Sequence, residues 1–128
     1  LVNARIPVIY GDGSKTRDYV YVGDAVAAFL RAFEEMQHLA LDDVFNVATG
    51  RETKDIDVFN EVIAALRAQF PNHKFDVKPR MEAKRPGEVT RSLLDINKAA
   101  SQLSWEPQVS FKDGVRLTVE AYAKSQVS

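Results

Sequence analysis

Two stretches of this chain repeat apolar side chains at helical spacing, and each follows a short run of β-prone residues. Val26, Phe29, Leu30 and Phe33 recur at i, i+3, i+4 and i+7, the pattern of one buried helix face. Phe59, Val62, Ile63, Leu66 and Phe70 form a second such stripe. The preceding runs are Asp18–Val22 and Val44–Ala48, and alternation of this kind restricts the chain to an α/β or mixed α+β class.

The remaining punctuation fills in the order of elements. Residues Ile6–Tyr10 read as a strand closed by the turn Gly11-Asp12-Gly13-Ser14. Gly23 breaks the 18–22 strand, and Asp24 suits the N-cap of a helix running to Met36 or Gln37. The second helix covers Ile56–Gln69 and stops at Pro71-Asn72. Lys74–Lys78 alternates as a strand does, whereas Pro79–Glu88 is charged, lacks periodicity and reads as a loop. Asp95 caps a short helix with Ile96, Ala99, Ala100 and Leu103 facing inward. Ser110 and Asp113 then resemble a capping box, opening a last helix that ends near Lys124. About four short strands and four helices result, few strands for a complete doubly wound sheet. There is no internal repeat.

Composition closes off several functions. The net charge of −1 gives no general attraction to nucleic acid or an anionic membrane. The chain has no cysteine, which excludes disulfides and thiolate zinc sites and fits a reducing cytoplasm. No apolar run is long enough to span a bilayer, and no signal peptide is read. The chain opens at Leu1 without an initiator Met and is expected to be a fragment or a processed product. With 128 residues, it is read as one domain, 1–128.

Two loops carry candidate chemistry. In the first, Tyr10-Gly11-Asp12-Gly13-Ser14-Lys15-Thr16-Arg17-Asp18, a glycine-containing turn is followed by an arginine, whose planar fork of donors matches phosphate oxygens. By local spacing alone the commoner reading is a plain turn with a surface Arg–Asp pair. In the second, Lys84-Arg85-Pro86-Gly87-Glu88, a rigid turn is flanked by an arginine and an acid; one could meet phosphate while the other accepts from a ribose hydroxyl. Here too a solvated charged loop is the commoner outcome. Together the two suggest a clamp on a diphosphate. His38 and His73 have no metal-ligand spacing, and no catalytic triad or carboxylate pair is recognisable. Trp105, between two amphipathic helices, is read as packing rather than as a base-stacking platform.

Seven segments share a pattern in order: Pro7–Gly13, Arg17–Val22, Asp24-Ala25-Val26, Phe45–Gly50, Arg85–Glu88, Asp95–Ala99 and Leu103–Pro107. Together they resemble the extended short-chain dehydrogenase/reductase family of NAD-dependent nucleotide-sugar epimerases and dehydratases, most closely the UDP-glucose 4-epimerases. The resemblance implies the C-terminal, substrate-binding part of an extended Rossmann-type enzyme, without the N-terminal NAD-binding domain. It implies that Arg17 and Arg85 hold the pyrophosphate of a UDP- or dTDP-sugar, that Tyr10 and Val8 line the nucleobase pocket, and that Glu88 lies near the ribose. Asp18 and Asn46 are structural ties in that picture.

Gly23 replaces an acidic residue of the family, and Ser104 replaces a glycine. The family's glycine-rich dinucleotide turn and Tyr-x-x-x-Lys pair have no counterpart, since Gly11-Asp12-Gly13 lies between strand-like runs. NAD is therefore expected in the parent enzyme but not on this chain alone, which carries no catalytic residue of its own and is expected to be inactive. Copies are expected to associate through the surface that would face the missing domain. Two alternatives stand beside this: a free-standing, non-catalytic binding module, and a piece of a dTDP-glucose 4,6-dehydratase or UDP-glucuronate decarboxylase.

Overall fold

The computed structural model describes residues 6–38 and 42–125; the opening segment at Leu1 lies outside them. The elements run β1 (Val8–Tyr10), β2 (Thr16–Arg17), α1 (Val22–Glu35), β3 (Thr53–Lys54), α2 (Asp55–Gln69), β4 (Arg80–Glu82), α3 (Asn97–Leu103) and α4 (Phe111–Ser125). The class is mixed α/β, as the alternation requires.

Two minimal ladders tie distant parts of the chain together. β1 pairs in parallel with β4, with Val8 opposite Arg80 and Tyr10 opposite Glu82. β2 pairs antiparallel with β3, and Thr16 also bridges in parallel to Arg91. Thr16 is thus held on both sides: its N–H donates to Thr90 O, and its carbonyl accepts from the Ser92 N–H.

The core divides into two clusters. Ala28 of α1 packs with Ala99 and Leu103 of α3 and with Trp105. Ile63 and Leu66 of α2 pack with Phe75 and with Val119 of α4. Trp105 is buried, as read, and its indole N–H donates to the carbonyl of Asp24 at 3.0 Å. Ser110 and Asp113 do form the α4 start: the Asp113 N–H donates to Ser110 Oγ, and the Ser110 hydroxyl donates to the Asp113 carboxylate.

Several local expectations are corrected. No strand forms at 18–22, because α1 begins at Val22 and the ladder lies one step earlier, at Thr16–Arg17. Asp24 does not cap α1; Tyr21 occupies the N-cap, and Asp24 sits inside the first turn, 5% exposed. Its carboxylate accepts instead from the Val109 N–H at 2.9 Å, fixing the α3–α4 connection to α1. Residues 44–48 and 74–78 form no strand among the described residues, and β4 falls inside the stretch read as a loop.

The apolar stripe of α1 is open, as expected for the surface that would face the missing domain. Val26, Phe29, Leu30 and Phe33 are exposed, Phe29 at 77% and Phe33 at 71%. The side packed against α3 is lined by the small Ala28 and Ala32. α1 is therefore apolar on both faces, and the bulkier face is the open one.

Candidate functional site

The ladders place the two arginine-bearing loops side by side. β1–β4 pairing sets the turn after Tyr10 against the chain after Glu82, and the Gly11 N–H donates to Glu82 O at 2.8 Å. The Thr16–Arg91 bridge closes the other end of both loops. Gly11 and Gly13 have φ of 90° and 79°, a region side chains rarely adopt, so this turn depends on both glycines. After Gly13 the chain enters β2 rather than a helix. The turn therefore lacks the helix N-terminus that cradles a dinucleotide pyrophosphate, and the described residues do not fit NAD there.

Between the loops and α2 lies a cleft of about 420 Å³, lined by Val8, Tyr10, Lys15, Phe59 and Glu88 among others. Three of the five residues singled out from sequence, Val8, Tyr10 and Glu88, meet in it. Arg85 is exposed and stacks its guanidinium on the Tyr10 ring. Arg17 is half-buried outside the cleft lining, and its Nη1 donates to Thr16 O at 2.7 Å.

Glu88 is the electrostatic centre of the group. A hydrogen bond from Lys15 holds its carboxyl below the usual carboxylate range; burial opposes this, and the charges of Lys15, Arg17 and Arg85 reinforce it. Both arginines thus act on the same carboxylate.

Sequence reasoning passed over Lys15 and Asp55. Lys15 Nζ lies 2.6 Å from Glu88 Oε1 and 3.3 Å from Asp55 Oδ2. These contacts hold its ammonium above the ordinary lysine range, Glu88 contributing most. The signal was thin: a lysine beside an arginine in a polar turn looks like surface. Glu52 was missed too. It accepts from Arg91 through both oxygens and from the Thr16 hydroxyl, which pulls its carboxyl down to about 2. This pair locks the Thr16–Arg91 bridge that aligns the loops.

The expected structural ties are present. Asp18 accepts from the N–H groups of Thr49 and Gly50, and Asn46 Nδ2 donates to Asp95 O. Among the described residues no group of three potential metal ligands occurs, and no helix is long and apolar enough to cross a membrane.

Comparison with known proteins agrees with this architecture. A UDP-glucose 4-epimerase of Mycolicibacterium smegmatis is 39% identical over 127 residues, covering 98% of this chain and 37% of that protein. A dTDP-glucose 4,6-dehydratase of Xanthomonas campestris is 31% identical over 123 residues, covering 92% of this chain and 34% of that protein. The crystal structure of UDP-glucose 4-epimerase with UDP-glucose from Thermotoga maritima superposes with a TM-score of 0.79 at 38% identity, covering 98% of this chain and 37% of that one. The chain thus spans about a third of the length of the relatives it matches. The family model described as GDP-mannose 4,6 dehydratase matches residues 1–118, and the chain belongs to that family of nucleotide-sugar epimerases and dehydratases.

Proposed function

We propose that this chain is the nucleotide-sugar-binding portion of an NAD-dependent epimerase or dehydratase, acting on a UDP-sugar in the manner of a UDP-glucose 4-epimerase. The observation that carries the reading is the convergence of the Arg17 and Arg85 loops on Glu88, beside the cleft lined by Val8 and Tyr10. Arginines of this kind grip a diphosphate by charge-assisted hydrogen bonds, and Tyr10 offers a face to the base. The epimerase relatives, at 38–39% identity, favour epimerisation. The dTDP-glucose 4,6-dehydratases, at 30–33%, keep dehydration as the second reading.

In the whole enzyme, NAD would supply hydride transfer. The residues of this chain bind the nucleotide and orient the sugar, so that binding energy from the remote nucleotide is spent on positioning. The open face of α1 is where we place the other two thirds of the enzyme.

Titration with UDP, UDP-glucose and NAD tests the reading. UDP is expected to bind weakly, at about millimolar Kd or −4 kcal/mol, and to shift the amides of Tyr10, Arg17, Arg85 and Glu88. Tighter binding of NAD than of UDP would overturn it.

A further inference from the structure

Lys15 stands in a polar turn, where a lysine ordinarily reaches into water, yet it is 6% exposed. A buried ammonium persists only where anions compensate it, and such a group is a poor source of stability. What it can do is fix one geometry. Two carboxylates meet it, Glu88 Oε1 at 2.6 Å and Asp55 Oδ2 at 3.3 Å, and they come from different parts of the chain. Asp55 opens α2, and its N–H donates to Lys15 O at 2.9 Å, so α2 fixes the lysine at backbone and head alike. Glu88 belongs to the loop that carries Arg85.

That loop has little else to hold it. Its ends are pinned, at Glu82 by the Gly11 N–H and at Thr90 by the Thr16 N–H. Between them, residues 83–87 are all exposed, and Gly87, at φ 74°, has nothing within 4 Å of where a Cβ would stand. Two further hydrogen bonds stay within the loop: the Glu88 N–H donates to Arg85 O at 3.4 Å, and Lys84 Nζ donates to Thr90 Oγ1 at 3.1 Å. The stacking of Arg85 on Tyr10 is a weak contact at an exposed site. Glu88 is the first side chain past Glu82 to turn inward, and its Oε2 has no partner among the described residues. The bond from Lys15 to Oε1 is thus the one ion pair, among those residues, that links this loop to the body of the fold.

We infer that Lys15 is a positioning residue: by tying Glu88 to the start of α2 it holds the Arg85 turn at the cleft, and so sets how strongly Arg85 grips the diphosphate. The inference rests on the nucleotide-binding reading above and adds to it a residue that acts through another.

Two readouts on the whole chain test it, with thermal melts and the buried Trp105 indole N–H resonance as folding controls. The first needs no ligand. In the parent, the Tyr10 ring is expected to shift the side-chain protons of Arg85 upfield relative to those in Tyr10→Leu. Lys15→Met is expected to lose most of that shift while the Trp105 resonance stays in place. The second readout is titration with inorganic pyrophosphate. Lys15→Met is expected to weaken binding about tenfold, the worth of one charge-assisted hydrogen bond. In an Arg85→Ala background the same change is expected to cost about twofold or less, because the group it positions is gone. A lysine acting through its own charge, or through general stability, would cost the same in both backgrounds, and that result overturns the inference. An Arg85 shift unchanged by Lys15→Met, or absent from the parent, overturns it too. If Lys15→Met does not fold, Glu88→Gln decides: it keeps the shape and removes the charge, and an unchanged Arg85 shift there overturns the inference. A parent that binds no pyrophosphate removes the functional reading and the ligand half of the inference with it, while the Arg85 shift still decides whether Lys15 sets the turn.

Discussion

The guanidinium of Arg85 lies 3.6 Å from the centroid of the Tyr10 ring, so the residues proposed for the diphosphate and the base touch each other. A cation over an aromatic face at an exposed site is worth about 0.5–1 kcal/mol. A base stacking on that face must displace the guanidinium, which frees it for phosphate. Tyr10→Leu is therefore expected to weaken UDP by about 1–3 kcal/mol through loss of stacking, while inorganic pyrophosphate binds as well as before. Parallel titrations of the two ligands check this; an equal loss for both would separate Tyr10 from the base.

Arg17 and Arg85 are expected to act as one clamp. Arg17→Ala or Arg85→Ala alone should cost UDP binding about 1.5–3 kcal/mol, and the double variant should cost less than their sum because both grip one diphosphate. Arg17→Lys keeps the charge, loses the planar fork, and should still bind more weakly than the parent. Calorimetry with unchanged affinity in the double variant would reject the clamp.

The Glu52–Arg91 pair sets an acid limit. The Glu52 carboxyl falls from 4.5 to about 2 in the folded chain, so its stabilisation is complete above pH 4.5 and disappears as pH drops through about 2. Glu52→Gln should lower the urea midpoint at neutral pH and flatten its decline over that window. A Gln variant whose midpoint falls in parallel with the parent would show that the pair does not couple to folding.

Ser104 is the only non-glycine among the described residues with positive φ, at 49°, where it closes α3 in the left-handed region. A side chain there costs roughly 1 kcal/mol relative to glycine. Ser104→Gly is expected to raise the melting temperature by several degrees, and Ser104→Ala to give no gain. A destabilised Gly variant would mean that the hydroxyl matters more than the backbone.

On α1, the double change Phe29→Glu and Phe33→Glu removes only exposed rings, so stability should stay within about 0.5 kcal/mol. Self-association through that face should fall. Sedimentation at several concentrations checks it; a parent chain that is monomeric throughout would show that the face does not drive contact between copies.

What the sequence made legible follows physical range. α2 was readable because its stripe, with Ile63 and Leu66, is a local signal that burial bears out, and α4 because Ser110 and Asp113 mark its start. α1 was found, and periodicity put its large apolar residues on one face, which is open as expected for the surface that would face the missing domain. Alanines 28 and 32 carry no such signal, yet they make the packed side. Apart from β1, which falls within the run read at Ile6–Tyr10, the strands were misplaced because ladders of two or three residues are held by partners far along the chain, as Thr16 is by Arg91. At the site, family resemblance pointed to Arg17 and Arg85. The Lys15–Glu88 contact needs the fold, because nothing local distinguishes a buried lysine from a surface one.

That contact joins residues 73 positions apart, and the β1–β4 ladder spans a similar length of chain. Closing loops so long carries an entropic cost that local helices cannot offset, so the binding geometry is among the last features a folding chain acquires. Ligand capture is thus a report on completed folding: a chain nicked between α2 and β4 could keep every helix and still lose the cleft.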